Sequence, residues 1–366
     1  LIEPSSPTTS NDVARFYDDN DFFYRRICGE HLHHGLWNDR EDKSTVEQAT
    51  DRLLYLTTRP LRLLPGQSVA DIGCGYGASS TWLAESFGTE VLGLNLSGIQ
   101  TNVARSRPTT RRGRVRIVLR DWLDNHLEPA SLDAAIAIEA LAHMPDKARF
   151  FEELRRTLKP GGKAGIACWT ADPEASPFES WLLRRICTQG KLAGIGSIGQ
   201  YRSLATGAGL EILDDQDVTK QVERTWKIIA RRTLAELFTS GKFLRFTARR
   251  LLHAPLSAFT LPQLLLGYQN GALRYHLLWV RKPVKEHPPE SAPDAESVPV
   301  PVPVPVPEAL EATSEPESDT FEMPPLEPFK PPTKRSGDHR GIGALVSPAP
   351  LQADPSVSRP SANEPD

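Results

Sequence analysis

Apolar runs alternate with helical periods through the middle of the chain. Runs at 68–72, 90–94, 115–119, 132–138 and 163–169 have the length and apolar content of strands buried on both faces. Stretches at 79–87, 98–105 and 146–158 carry helical periodicity instead. That alternation predicts an α/β fold, doubly wound, around a mostly parallel sheet with helices on both faces. Two more strand-like runs, 210–218 and 272–283, bring the sheet to seven strands, the last of them set antiparallel. A helix is expected over 46–57, capped by Ser44 or Thr45 and ended by Pro60, and another near 178–189. Lys159-Pro160-Gly161-Gly162 reads as a turn, and the glycine-rich stretch 190–200 as a flexible loop, because no strand leads into it.

The flanks read differently. Residues 1–10 are rich in Pro, Ser and Thr and are expected to be unstructured. Residues 219–270 form a helical insert in which Trp226, Ile229, Leu237, Phe238, Phe243 and Leu251 mix with arginines and lysines. A cap with a solvated basic face and a surface that touches membrane lipid both fit it, and either makes an apolar roof over a site. From 284 to 366 proline dominates, aromatics nearly vanish and about nine net negative charges accumulate, so a disordered acidic tail is expected. Pro325 to Lys330 spells PxxPxK, a ligand for proline-recognition domains, although chance matches are common in such a text and a spacer is the simpler reading.

Charge and cysteine usage narrow the picture further. The net charge of −3 leaves residues 1–283 mildly basic once the tail is set apart, and no nucleic-acid partner is expected. Cys28, Cys74, Cys168 and Cys187 lack metal or disulfide spacing, which predicts reduced thiols in a cytoplasmic protein. No apolar run reaches membrane-spanning length, and the first residues lack the shape of a secretion signal.

The candidate chemistry centres on Gln67 to Ser80, QSVADIGCGYGASS. A buried strand runs into Gly73, Gly75 and Gly77 and then into a helix, the layout of a ligand-binding turn. Asp71, just before the first glycine, repels a pyrophosphate and attracts an ammonium group, as S-adenosylmethionine carries. D-I-G-C-G-Y-G resembles the first motif of class I S-adenosylmethionine-dependent methyltransferases. VLGLNLS, RDWLD, LDAAIAIEALAHMPD and LKPGG follow in that family's order. F-Y-D and G-E-H-L-H-H-G-L-W near the N-terminus are similar to the subgroup that includes tocopherol methyltransferases, with cyclopropane-fatty-acid synthases more distant.

The resemblance covers residues 16–283 and implies a Rossmann-like methyltransferase domain over 11–283 with an N-terminal helical lid at 11–60. It implies S-adenosylmethionine as cofactor and a small, apolar acceptor methylated at O, N or C. Asp71 and the three glycines would hold the methionine end, and Leu94, Asn95 and Gln100 the ribose. Asp121 would accept the adenine amino group, with Trp122 against the ring or in the core. Asn95 stands where most relatives carry an acid, which costs about 1 kcal/mol of cofactor affinity. Glu139 and His143 are the catalytic candidates, and Ala142 replaces a Glu that relatives place before the histidine. His143 is the stronger base candidate or else a structural histidine. His31, His33 and His34 are expected to face substrate or solvent, and no metal is expected.

Three other readings stay open. Cyclopropane-type lipid chemistry lacks its Glu at 142. A nicotinamide-dependent dehydrogenase is poorly matched by the loop. A degenerate fold could serve as a binding module through its proline-rich tail.

Overall fold

A computed structural model describes residues 1–253 and 259–284. Seven strands make one sheet: β1 (Ser68–Ile72), β2 (Glu90–Asn95), β3 (Arg114–Leu119), β4 (Leu132–Ile138), β5 (Leu158–Ala171), β6 (Glu211–Asp217) and β7 (Leu273–Arg281). Their order is β3-β2-β1-β4-β5-β7-β6. β7 pairs antiparallel with both β5 and β6, and the other pairings are parallel. The chain leaves β1 toward one edge and returns through β4 toward the other. The carboxyl ends of β1 and β4 therefore flank the point where strand order reverses, the usual ligand crevice of such sheets.

Both faces of the sheet are covered. On one, α3 (Val46–Thr58), α4 (Ala78–Phe87), α7 (Pro177–Gly190) and α12 (Thr260–Gln269) bury Leu53, Leu83, Leu183 and Leu264. On the other, α6 (Lys147–Thr157) and α8 (Ile198–Gly207) bury Phe150, Phe151, Leu154 and Tyr201. β4 supplies small side chains, Ala134, Ala135 and Ala137, which lets both layers approach closely. The remaining α-helices among the described residues are α1 (Ser10–Asp19), α2 (Asp21–Ile27), α5 (Gly98–Arg105), α9 (Thr219–Val222), α10 (Arg224–Thr239) and α11 (Gly241–His253).

Several expectations change. Residues 1–10 are not loose: Ile2 and Ile195 exchange main-chain hydrogen bonds of 2.8 and 2.9 Å, and Ser5 N donates to Thr188 Oγ1. A polar, proline-containing stretch is ordered here because the fully buried Ile195 supplies a main-chain bridge partner. The 190–200 stretch is a loop only over 191–197, between the end of α7 and the start of α8. Ser197 and Gln200 form a reciprocal capping box that starts α8. The K-P-G-G turn is taken up as an irregularity inside β5, with Gly161 at φ +77°. α3 packs on β4 and β5 and belongs to the body, so the lid is shorter than 11–60.

The insert also departs from its expected place. α10 and α11 lie on the outside of α2, through Arg26–Glu236, Arg232 to the Ile27 carbonyl, and Phe243 among Phe22 and Phe23. α12 covers α7 and β7. No described insert residue lines the cavity, so the roof over the site is the lid. The proline-rich tail, with the PxxPxK match at 325–330, lies outside the described residues.

Candidate active site

A cavity opens at the carboxyl ends of β1, β2 and β4 and just beyond β3. Gly73, Gly75 and Gly77 all hold positive φ, at +76°, +54° and +74°. Their surroundings differ. A Cβ on Gly73 would stand 2.8 Å from Ala140 Cβ, and one on Gly77 2.9 Å from Ala104 Cβ. Those two glycines serve close packing. A Cβ on Gly75 would meet Leu32 Cδ1 at 3.6 Å and nothing else, so the main chain there faces open space under the lid. Asp71 is buried behind the loop and accepts from Ser80 Oγ at 2.6 Å; burial pushes its carboxyl up to about 6.

At the end of β2, Asn95 Nδ2 donates to Gln100 Oε1 at 3.0 Å. Gln100 Nε2 is buried without a partner. Leu94 is buried, and its carbonyl accepts from Gly73 N and Cys74 N. Asp121 follows β3; its Oδ1 accepts from Leu123 N at 2.9 Å and its Oδ2 from Ser10 Oγ at 2.5 Å. Trp122 is mainly a core residue, its indole donating to the Phe150 carbonyl, with one edge on the cavity. A buried carboxylate, an open main-chain cradle and an orphan amide donor fit a ligand with an ammonium group and a ribose.

The lid supplies residues that sequence reasoning missed. Ser10, Val13 and Tyr17 recur at helical spacing and form the inner face of α1. Asp18 accepts from Ser97 Oγ and from Ile99 N, which ties α1 to the start of α5. Tyr76, inside the glycine loop, donates to Asp21 at 2.7 Å. The i, i+3, i+7 spacing of residues 10, 13 and 17 was visible, but not what that face would meet. Leu32 and the hydrogen-bonded pair His31 and His33 complete the near wall, with His31 Nδ1 3.1 Å from His33 Nε2.

Glu139 and His143 come together at the end of β4 with different surroundings. Glu139, at φ +57°, takes three hydrogen bonds on Oε1: from His34 N, from His34 Nδ1 (each 2.7 Å) and from the Tyr275 hydroxyl at 3.0 Å. Burial would raise its carboxyl, but the neighbouring His34 outweighs that and holds it below the ordinary value. His34 is neither surface nor cavity. It is buried among Trp169, Trp226, Tyr268 and Tyr275, and its Nε2 lies 3.1 Å from the Tyr268 hydroxyl. His143 Nδ1 lies 3.0 Å from the Lys191 carbonyl, so that nitrogen carries the proton. Its Nε2 lone pair then faces the cavity side, where the Tyr17 hydroxyl stands 2.9 Å away. Burial pushes the imidazole down to about 4, leaving it neutral near pH 7.

The mycolic acid cyclopropane synthetase profile matches residues 5–238. The chain belongs to that family. It is a class I S-adenosylmethionine-dependent methyltransferase. It is similar to the chloroplastic tocopherol O-methyltransferase of Arabidopsis thaliana, 28% identical over 300 residues, covering 76% of this chain and 84% of that one. The structure of the [4+2]-cyclase SpnF superposes with a TM-score of 0.63 at 25% identity, covering 77% of this chain and 98% of that one. The cyclopropane synthase MmaA2 from Mycobacterium tuberculosis gives 0.65 at 20% identity, covering 76% and 100%. That last likeness concerns the fold. Members of this cyclopropane synthetase family need not share a product, because acceptor walls and base are set by individual side chains. No helix among the described residues is long and apolar enough to cross a membrane.

Proposed function

We propose that this methyltransferase acts on a hydroxyl oxygen of a small, apolar acceptor, with His143 as the proton acceptor. The observation that carries this is the Lys191 carbonyl on His143 Nδ1, which leaves Nε2 unprotonated on the cavity side. When bound, S-adenosylmethionine supplies an electrophilic methyl group, and the protein's part is position, desolvation and a base. Gly75 and Asp71 would hold the methionine end, with Gly73 and Gly77 shaping the loop around it. Leu94, Asn95 and Gln100 would hold the ribose, and Asp121 the adenine amino group, with Trp122 at the edge of that pocket. Glu139 serves as a positioning residue: its Oε1 takes three hydrogen bonds, from His34 N, His34 Nδ1 and the Tyr275 hydroxyl, and so fixes the segment that carries His143.

The test is transfer of a labelled methyl group across phenolic, isoprenoid and aliphatic hydroxyl acceptors, by the full chain and by His143→Gln. Methyl incorporation at oxygen, lost in the variant while S-adenosylhomocysteine still binds, supports the reading. Because a similar structure is named for a cyclase, the label itself must be followed. A second reading, cyclopropane-type addition to lipid, draws support from the family profile and is opposed by Ala142.

Two finer points belong to the same proposal. The four unpaired cysteines support a reducing, cytoplasmic location. Exposed Leu234, Phe238, Leu244 and Leu252, interspersed with Arg231, Lys242 and Arg245, support peripheral contact with an anionic lipid surface.

A further inference from the structure

Tyr17 occupies the lone pair that the proposed base needs. With the Nδ1 proton of His143 committed to the Lys191 carbonyl, Nε2 has a single acceptor site, and the Tyr17 hydroxyl donates into it at 2.9 Å. The phenol ring is fixed by Phe16 at 5.5 Å and Tyr24 at 5.4 Å, and it meets the imidazole edge-on at 5.3 Å. Both side chains line the same cavity. An acceptor hydroxyl entering under the closed lid therefore finds the lone pairs of Tyr17 Oη before it finds His143.

We propose that Tyr17 is a catalytic residue that receives the acceptor's proton while handing its own to His143. This inference rests on the O-methylation reading above. As the acceptor oxygen forms its bond to the methyl carbon, the electron pair of the breaking carbon–sulfur bond stays on sulfur, which becomes a neutral thioether. The acceptor's proton moves to Tyr17 Oη, and the Tyr17 proton moves to His143 Nε2. His143 ends as an imidazolium whose Nδ1 proton stays on the Lys191 carbonyl, and it returns the added proton to water when the lid opens. Burial and the nearby Glu139 push the Tyr17 hydroxyl well above its ordinary range, so the two proton movements are coupled and no tyrosinate accumulates. The assignment also selects the acceptor: it must carry a proton on the atom that is methylated.

Tyr17→Phe removes one oxygen and keeps the ring contacts. Labelled-methyl turnover is expected to fall about 100-fold or more, the range of general acid–base assistance. S-adenosylhomocysteine affinity, measured by calorimetry, is expected to stay within about twofold because the lid ties through Ser10, Asp18 and Asp21 remain. Nitrogen NMR of the ligand-free variant should show His143 still protonated at Nδ1, with Nε2 having lost its donor. The solvent deuterium effect on turnover should be larger in the wild type, where two protons move, than in the variant. Turnover equal to or faster than wild type would overturn the proposal, since the phenol would only have been blocking Nε2. A parallel loss of cofactor affinity would overturn it too, by making Tyr17 a lid strut. A wild-type chain that binds S-adenosylhomocysteine yet methylates no hydroxyl defeats the O-methylation reading itself, a result separable from either of these.

Discussion

Asn95 and Gln100 hold each other: the Asn95 amide donates to Gln100 Oε1 at 3.0 Å and leaves Gln100 Nε2 buried and unpartnered. On the proposed ribose assignment, a neutral amide thus stands where an acid would accept the hydroxyls more strongly. Asn95→Asp is expected to tighten S-adenosylhomocysteine about fivefold, roughly 1 kcal/mol, with the Gln100 amide turned to donate to the new carboxylate. The donor lost toward the Gly75 carbonyl is a long one, at 3.4 Å. Calorimetry decides it, and weaker binding would contradict the ribose assignment.

Gly75 separates ligand space from packing space. Valine there would put two methyl groups into the opening under Leu32 and force a β-branched residue into left-handed backbone at φ +54°. Binding of S-adenosylhomocysteine should be lost while the ligand-free variant still melts cooperatively. Retained tight binding would move the cofactor elsewhere.

Asp71 makes stability depend on pH in a defined direction. Folding raises its carboxyl from 3.8 to about 6, so the folded state holds an extra proton between those values. The stability that proton contributes is present below about pH 4 and is lost as pH rises through about 6, roughly 3 kcal/mol in all. Ligand-free Asp71→Asn should therefore gain stability relative to wild type across that window and hold a constant advantage above it. Calorimetric melting from pH 4 to 8 checks the sign; a gain that runs the other way contradicts burial as the cause.

Removing residues 1–7 should cost several degrees of melting temperature, because it strips the Ile2 bridge from Ile195 and leaves that buried main chain unpaired. An unchanged melting temperature would mean the segment is only draped on the body.

The outer face of α10 and α11 is testable with vesicles. Co-sedimentation with vesicles rich in anionic phospholipid, weakened by salt and by Phe238→Asp, is the expected result. Phe238 is 83% exposed, so the substitution should leave the fold intact. Equal binding by wild type and variant would remove this face from consideration.

The parallel sheet, its order of strands and helices, and the positions of Asp71, Asn95, Asp121 and Glu139 at strand ends were all legible in the chain. Apolar periodicity and turn residues are local, and a doubly wound sheet turns local order into a shared crevice. Pairings between distant segments were not legible. Ser10 reaches Asp121, Tyr17 reaches His143 and Ile2 reaches Ile195 across more than a hundred residues, and no spacing rule links such positions. Glu139 and His143 share one short segment, yet one takes three hydrogen bonds on Oε1 and the other turns Nε2 to the Tyr17 hydroxyl on the cavity side. Residue type and strand-end position came from sequence alone. Which groups are shielded, which are paired and which stay available for chemistry was decided only when the lid closed on the sheet, because burial and hydrogen-bond geometry depend on partners the local sequence does not contain.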